Sequence, residues 1–209
     1  MKLTPTFEFE TDAHRSGYQS VCGVDEAGRG PLAGPVVAAA VILDPHAIPD
    51  GLNDSKALTE RKRDHLFELI MVHATVSVAT SGAALIDHMN IRAASLDAMR
   101  RAILALETPA DWALIDGNAY PPQLPCQATL IVKGDSKSLS IAAASIVAKV
   151  ARDRMMVRAE RLYPGYGFAK SKGYPTKAHR DQLAVIGPCA LHRRTYAPVQ
   201  EALKKTALS

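Results

Sequence analysis

Apolar residues fall in short runs separated by polar turns, a pattern typical of strands that alternate with helices. Five runs are predicted to be strands, over residues 21–25, 34–43, 74–80, 112–116 and 127–132. Helices are predicted after an N-cap at Thr59, as a pair broken near Asn90, over 138–162, and near 176–185 and 198–205. This order predicts an α/β fold in which helices flank a mixed five-stranded sheet.

The length of 209 residues suits one domain over residues 1–209, with a core at about 18–165 and a small basic helical extension at about 166–209. The longest strongly apolar run, 36–43, is too short to cross a bilayer, and residues 1–20 lack the apolar centre of a signal sequence. We therefore expect a soluble, cytoplasmic protein with no membrane partner, and by default a monomer.

Charge is distributed unevenly along the chain. Residues 1–132 contain 10 Lys and Arg against 16 Asp and Glu, whereas residues 133–209 contain 15 against 5. A basic C-terminal third fits a surface that binds nucleic acid, but a solvated helix face explains the same composition equally well. The candidates for contacts with backbone phosphates are Lys133, Lys137, Lys149, Arg152, Lys170, Lys172, Arg193 and Arg194.

Thiol and imidazole chemistry are poorly supported. The cysteines at positions 22, 126 and 189 are odd in number and widely spaced, which argues against disulfides and against a zinc site. None of the seven histidines has metal-ligand spacing, and His192 is more simply a phosphate or structural contact than a general base.

Four acidic residues lie at the ends of predicted strands. Asp25 and Glu26 end the first strand, Asp116 ends the fourth, and Asp135 follows the fifth. Carboxylates suit Mg²⁺ or Mn²⁺ better than zinc, and two such ions can promote phosphodiester hydrolysis. Ordinary turn residues at strand ends explain the same pattern, so the residues alone leave both explanations open.

The adjacent pair Asp25-Glu26 raises a geometric difficulty, because neighbouring residues on a regular strand point to opposite faces. The two carboxylates can share a metal cluster only if the strand breaks there or if the longer glutamate reaches round its edge. Gly28 and Gly30 follow closely. We therefore predict a break at residues 25–26.

Seven segments occur in a characteristic order: 23–34 (GVDEAGRGPLAG), 52–56 (LNDSK), 115–118 (IDGN), 133–136 (KGDS), 143–153 (AASIVAKVARD), 172–176 (KGYPT) and 192–194 (HRR). Together they resemble bacterial ribonuclease HII, a type 2 ribonuclease H family, over about residues 20–199. The resemblance implies a ribonuclease H-like fold with a C-terminal helical extension. It also implies an endonuclease that hydrolyses the RNA strand of RNA/DNA hybrids.

The same resemblance implies incision on the 5′ side of single ribonucleotides embedded in duplex DNA. Two Mg²⁺ or Mn²⁺ ions would act in this reaction, leaving 5′-phosphate and 3′-hydroxyl ends. RNA/DNA hybrids and ribonucleotide-containing duplex DNA would be the nucleic-acid partners. Asp25, Glu26, Asp116 and Asp135 match the metal-binding catalytic carboxylates of the family.

The resemblance further implies a set of substrate contacts. The segment Gly28-Arg29-Gly30 matches the loop that reads the ribose 2′-hydroxyl and a neighbouring phosphate, and Tyr174 matches a tyrosine at the RNA–DNA junction. Glycines let a backbone approach a sugar closely, and an arginine can hold a phosphate with two donors. The other expected contacts are Lys56, Ser136, Arg193 and Arg194.

Two positions depart from the family pattern. Ala57 stands where many members have a second lysine, and Ser171 stands where a histidine often precedes the lysine. Both departures weaken specific roles for Lys56 and for position 171.

Two other functions stay open. A non-catalytic nucleic-acid-binding module of similar fold would keep the basic surface without needing four acids. A related nuclease or strand transferase would cut all-DNA duplex, which a ribonuclease H spares. A replication clamp is a possible partner, but residues 199–209 show no clear clamp-binding pattern.

Overall fold

The computed structural model describes residues 4–206, so both ends of the predicted domain lie outside the described residues. Its strands are β1 (Val21–Ala27), β2 (Val36–Leu43), β3 (Ala74–Ser81), β4 (Trp112–Asp116) and β5 (Gln127–Ile131). They form one sheet in the order β3-β2-β1-β4-β5. The pairs β1–β2 and β2–β3 are antiparallel, while β1–β4 and β4–β5 are parallel. The predicted mixed five-stranded sheet is confirmed.

Eight helices are found in the described part of the chain: α1 (Glu8–Arg15), α2 (Glu60–His73), α3 (Ala83–Met89), α4 (Ile91–Leu104), α5 (Leu139–Leu162), α6 (Phe168–Ser171), α7 (Lys177–Ile186) and α8 (Ala197–Thr206). The predicted N-cap at Thr59 forms, since its side chain accepts from the N–H of Lys62. The predicted break near Asn90 is confirmed, and Asn90 caps α4 by accepting from the N–H of Ala93. Among residues 4–206, no helix is both long and apolar enough to cross a membrane.

Helix α5 covers one face of the sheet and α4 covers the other. The contact with α5 is close because β1 carries Gly23 there: a Cβ on this glycine would lie 2.1 Å from the backbone carbon of Ser140. Alanines 142–144 of α5 are fully buried against the sheet. Small residues on both elements therefore bring the start of α5 next to the end of β1.

Helix α1 was not predicted, because its residues are mostly polar. It is fixed to the fold through Glu10, which is fully buried. The Glu10 carboxylate accepts hydrogen bonds from the Ser138 hydroxyl at 2.5 Å and from the N–H of Ser140 at 2.9 Å. A carboxylate at a helix N-terminus is stabilised by the unpaired N–H groups there. Glu10 therefore anchors the first turn of α5.

Candidate active site

Strand β1 does not break at residues 25–26, so that prediction is wrong. Its pairing with β2 continues to Ala27↔Val37, whereas its pairing with β4 stops at Val24↔Ile115. Asp25 and Glu26 consequently lie on a stretch that has a partner on one side only. Asp25 faces α5, and Glu26 faces α4. The unpaired edge between them lets both side chains reach one cavity at the end of β4.

That cavity measures about 460 Å³ and brings together most of the predicted site. It is lined by three of the four acids, the glycine loop, the tyrosine and two α5 side chains. Its lining residues are Asp25, Glu26, Ala27, Gly28, Arg29, Gly30, Ser55, Lys56, Asp116, Ser145, Lys149 and Tyr174. Acidic and basic groups, drawn from segments far apart in the chain, therefore face the same space.

Asp25, Glu26, Asp116 and Asp135, here called the acidic cluster, influence one another electrostatically. Burial, and then repulsion from Glu26 and Asp116, raises the pKa of Asp25 well above its usual range. Burial also raises the pKa of Glu26, although Arg29 pairs with it at 3.2 Å and opposes the shift. Burial and the charges of Asp54 and Asp116 raise the pKa of Asp135 to about 6.

The backbone holds two members of the acidic cluster in place. Asp25 Oδ1 accepts from the N–H of Glu26 at 2.7 Å, and Asp116 Oδ1 accepts from the N–H of Gly134 at 2.6 Å. Gly134 begins a single turn of 3₁₀ helix that carries Asp135. A Cβ at Gly134 would lie 2.5 Å from Ile141 Cδ1, so a larger residue here would force the Ile141 side chain to shift.

Asp54 and Lys56 extend the charged site. Burial lowers the pKa of Lys56, but attraction to Asp54, Asp25 and Asp135 outweighs it and raises the pKa overall. Ser55, between them, bonds to the hydroxyl of Ser145 on α5 at 2.7 Å, which fixes this turn against the helix. Asp54 was not selected from the sequence, although it lies inside the 52–56 motif. Asp54 and Asp135 are far apart in the sequence, and only the fold brings their side chains close together.

The acidic cluster offers only oxygen donors, the ligands that Mg²⁺ and Mn²⁺ prefer. Its members repel one another in a partly buried setting, and a divalent cation would relieve that repulsion. In the described part of the chain, no three His, Cys, Asp or Glu side chains are close enough to hold an ion as they stand. The donor chemistry of the acidic cluster fits a hard cation.

The Gly28–Gly30 loop meets the cavity in two different ways. Gly28 has a φ of +99°, and a Cβ there would lie 2.1 Å from Arg152 Nε, so protein packing requires this glycine. A Cβ at Gly30 would meet only the ring of Tyr174, at 3.8 Å. The space beside Gly30 is therefore open between the loop and the tyrosine.

Arg152 and Arg193, here called the buried arginine pair, lie beneath the loop with no exposed surface. Arg152 donates to the carbonyls of Ala33 and Pro35. Burial lowers its pKa to about 10, with a smaller effect of Arg193 in the same direction. Direct phosphate contacts by these two arginines were expected, and that expectation is wrong because both guanidinium groups are enclosed and bonded to backbone carbonyls of residues 28–35.

Three further predicted contacts lie outside the cavity lining. Ser136 donates from its hydroxyl to the Lys133 carbonyl. Arg194 is exposed, and its backbone N–H donates to Asp87 on α3. His192 is buried, accepts from the N–H of Cys189, and lies 3.1 Å from His179 between their Nε2 atoms. Burial lowers the pKa of His192 to about 4, which fits a structural histidine.

Comparison with known proteins identifies the family of this chain. The family model for Ribonuclease HII matches residues 22–199. The chain belongs to the Ribonuclease HII family. Ribonuclease HII of Sinorhizobium fredii is 62% identical over 200 residues, covering 96% of this chain and 87% of that protein. The protein of the same name from Rhizobium meliloti is 60% identical over 197 residues, covering 94% and 91%.

Solved structures agree as well. Ribonuclease H2 from Pyrococcus horikoshii has a TM-score of 0.74 at 27% identity, covering 91% of this chain and 100% of that one. Bst-RNase HIII, solved in complex with Mn²⁺, has a TM-score of 0.72 at 21% identity, covering 94% and 73%, and supports the fold alone. The predicted ribonuclease H fold is confirmed, and family membership makes the chain a ribonuclease H with endonuclease activity.

Proposed function

We propose that this enzyme hydrolyses the RNA strand of RNA/DNA hybrids and incises duplex DNA on the 5′ side of single ribonucleotides. One observation carries the proposal: three members of the acidic cluster share a cavity with the Gly28–Gly30 loop and Tyr174. The acidic cluster would carry out the hydrolysis, and the Gly28–Gly30 loop would give selectivity for ribose over deoxyribose. The products would be 5′-phosphate and 3′-hydroxyl ends.

Asp25, Glu26, Asp116 and Asp135 would hold two divalent cations, either Mg²⁺ or Mn²⁺. Bound there, the ions would activate the attacking water and stabilise charge on the leaving oxygen. The protein's own part is to place four carboxylates at the end of a rigid sheet. Oriented groups of this kind act without reorganising during the reaction.

The loop and its neighbours would bind and orient the substrate. The open side of Gly30 leaves room for a sugar, and the Tyr174 ring borders the same space. Arg29, whose side chain is about half exposed, can turn from Glu26 to a phosphate oxygen. Lys56 and Lys149 line the same cavity, where each would contact a further phosphate, and Lys149 pairs with Asp153 at 2.8 Å. These cations predict binding that weakens with salt.

Incubation with three labelled duplexes tests the proposal: an RNA/DNA hybrid, a DNA duplex containing one ribonucleotide, and the same duplex without it. We expect nicks in the first two, on the 5′ side of the ribonucleotide in the second, and none in the third. EDTA should abolish cleavage, and Mg²⁺ or Mn²⁺ should restore it. Cleavage of the all-DNA duplex would favour a related nuclease, and no metal-dependent nick would favour a binding module.

Asp25→Asn tests the assignment of the acidic cluster. It removes a charge while keeping the acceptor for the Glu26 N–H, so we expect a rate loss of about 10³-fold or more with hybrid binding retained. The matched control is Asp111→Asn at the opposite end of β4, where the carboxylate accepts from the N–H groups of Gln19 and Ser20. A near wild-type rate for Asp25→Asn would overturn the assignment.

Other expectations are carried forward as proposals. A monomer in the cytoplasm remains the predicted state. A ribonuclease HII from Archaeoglobus fulgidus has been solved in complex with PCNA, and this structure has a TM-score of 0.72 at 26% identity, covering 85% of this chain and 95% of that one. For the present chain no clamp contact is proposed, because residues 199–209 lack a clear pattern, and 207–209 lie outside the described residues.

A further inference from the structure

The guanidinium of Arg193 is fully buried, and no carboxylate pairs with it among residues 4–206. Its nitrogens donate instead to the carbonyls of Gly28, Arg29 and Gly34, at 2.5, 2.8 and 3.0 Å. A second bond, from Nε, reaches Gly34 at 3.1 Å. Within residues 4–206 the only side chain that it bonds is that of Tyr196, whose hydroxyl in turn donates to the Arg29 carbonyl at 3.0 Å. Arg193 thus bonds mainly to the backbone of one loop.

These bonds decide which way the loop's N–H groups point. In a trans peptide the C=O of one residue and the N–H of the next point in opposite directions. No cis peptide occurs in the described residues. With the carbonyls of Gly28 and Arg29 turned inward to Arg193, the N–H groups of Arg29 and Gly30 must point outward. Neither N–H has an acceptor within residues 4–206.

Two adjacent unpaired N–H groups beside an open space form a site for an electronegative oxygen. The loop contributes Gly30 to the cavity wall, with the Tyr174 ring nearby. A ribose hydroxyl or a phosphate oxygen has the acceptor chemistry that these donors need. The orientation of the donors therefore depends on an arginine that is 163 residues from Gly30 in sequence and that touches no substrate.

We propose that Arg193 is the positioning residue for ribose recognition, acting by holding the carbonyls of the Gly28–Gly30 loop so that the Arg29 and Gly30 N–H groups face the substrate. This inference rests on the proposed function and deepens it. The backbone of the Arg193 segment also pairs with the loop, since Arg193 N–H donates to the Leu32 carbonyl and Gly34 N–H to that of Leu191. The C-terminal extension is thereby part of the recognition site.

Arg193→Lys tests the proposal, since lysine keeps the positive charge but cannot bond three carbonyls in one plane. The matched control is Arg101→Lys: Arg101 also donates to a backbone carbonyl, that of Thr80, but its side chain is partly exposed and bonds no residue of the Gly28–Gly30 loop within residues 4–206. On a duplex with one ribonucleotide, we expect kcat of Arg193→Lys to fall about 100-fold while KM changes by less than about threefold, because misplaced donors affect reaction more than binding. Arg101→Lys should keep both constants within about threefold of wild type.

Tyr196→Phe is a second variant that serves if Arg193→Lys folds poorly. It removes one donor to the Arg29 carbonyl and leaves Arg193 in place, so a smaller kcat loss of about threefold to tenfold is expected. Amide NMR signals give a readout that does not depend on activity. The signals of the Arg29 and Gly30 amides should shift in Arg193→Lys and in Tyr196→Phe, and they should stay unchanged in Arg101→Lys.

The outcomes separate the two proposals. Wild-type kcat in Arg193→Lys, or equal losses in Arg193→Lys and Arg101→Lys, would overturn the positioning role. Unchanged Arg29 and Gly30 amide signals in Arg193→Lys would overturn it independently of catalysis. Failure of the wild-type enzyme to nick the ribonucleotide duplex would reject the proposed function, while the amide signals would still decide whether Arg193 orients the loop.

Discussion

The acidic cluster and the buried arginine pair are opposite in charge. They also differ in how many of their hydrogen bonds are made within the protein. Each arginine donates to two or more backbone carbonyls of residues 28–35, although Arg152 Nη1 has no partner within residues 4–206. The acids receive few donors, and their charges repel one another. Charge that the protein satisfies itself stabilises the structure. Charge that it leaves unsatisfied is available to a ligand at a cost in stability.

The largest expected effect is destabilisation by Arg152→Met. Methionine fills similar space but leaves the buried carbonyls of Ala33 and Pro35 without donors, and each such group costs about 1–3 kcal/mol. We expect the free energy of unfolding, measured with urea, to fall by about 3 kcal/mol. Arg152 Nη1 has no partner within residues 4–206, so its loss should cost nothing.

The control for this change is Arg158→Met on the same helix, where the side chain is exposed. A surface substitution of this kind should alter the free energy of unfolding by less than about 0.5 kcal/mol. Equal effects of the two variants would contradict a supporting role for the buried arginine pair.

The buried arginine pair also shows where sequence reasoning fails. Strand ends are local features, so Asp25, Asp116 and Asp135 could be placed near one another from alternation and turn residues. The partners of Arg193 lie up to 165 residues away, and no local pattern distinguishes a buried arginine from a phosphate contact. The prediction of a break in β1 was wrong for a related reason. Residues 25–27 of β1 lack a partner on one side because the neighbouring strand β4 ends at Asp116, and this depends on how the strands pair in the fold.

Metal binding should have the next largest effect on the free energy of unfolding. If the acidic cluster is the ion site, an ion at 100 times its Kd stabilises the folded protein by about 2.7 kcal/mol. We expect Mg²⁺ to raise the free energy of unfolding of EDTA-treated enzyme by about this amount at pH 8. NaCl at equal ionic strength is the control, since screening alone should do far less. In Asp25→Asn the Mg²⁺ effect should shrink by half or more. A rise of equal size in that variant would place the ions elsewhere.

Asp135→Asn should stabilise the metal-free enzyme, the opposite of what Arg152→Met does. The folded state raises the pKa of Asp135 to about 6, above its ordinary value, so the protonated form is favoured by folding. This contribution is full below about pH 4 and is lost as pH rises towards 6. At pH 8 asparagine mimics the neutral acid beside Asp54, and after allowance for solvent screening we expect a gain of about 1–2 kcal/mol.

Urea unfolding in EDTA at pH 4 and pH 8 measures this difference. The gain from Asp135→Asn should appear at pH 8 and vanish at pH 4, where the wild-type side chain is already neutral. Asp111→Asn is the contrast. The Asp111 carboxylate accepts hydrogen bonds from two backbone N–H groups, so the Asp111→Asn variant should be less stable than wild type at pH 8. A loss at pH 8 in Asp135→Asn would mean that the acidic cluster is satisfied within the protein, like the arginines.

Gly30→Ala should have the smallest effect on the free energy of unfolding. It distinguishes Gly30, which faces open space, from Gly28, which packs against the protein. At Gly28 an added Cβ collides with Arg152, but at Gly30 it meets only Tyr174 at an ordinary contact distance of 3.8 Å. Unfolding free energy should therefore change by less than about 0.5 kcal/mol. The new methyl group would occupy the space proposed for the sugar, so kcat/KM on a single-ribonucleotide duplex should fall at least tenfold. Gly28→Ala, measured beside it, should lose stability instead. If Gly30→Ala cleaves like wild type, the ribose does not approach the loop at Gly30.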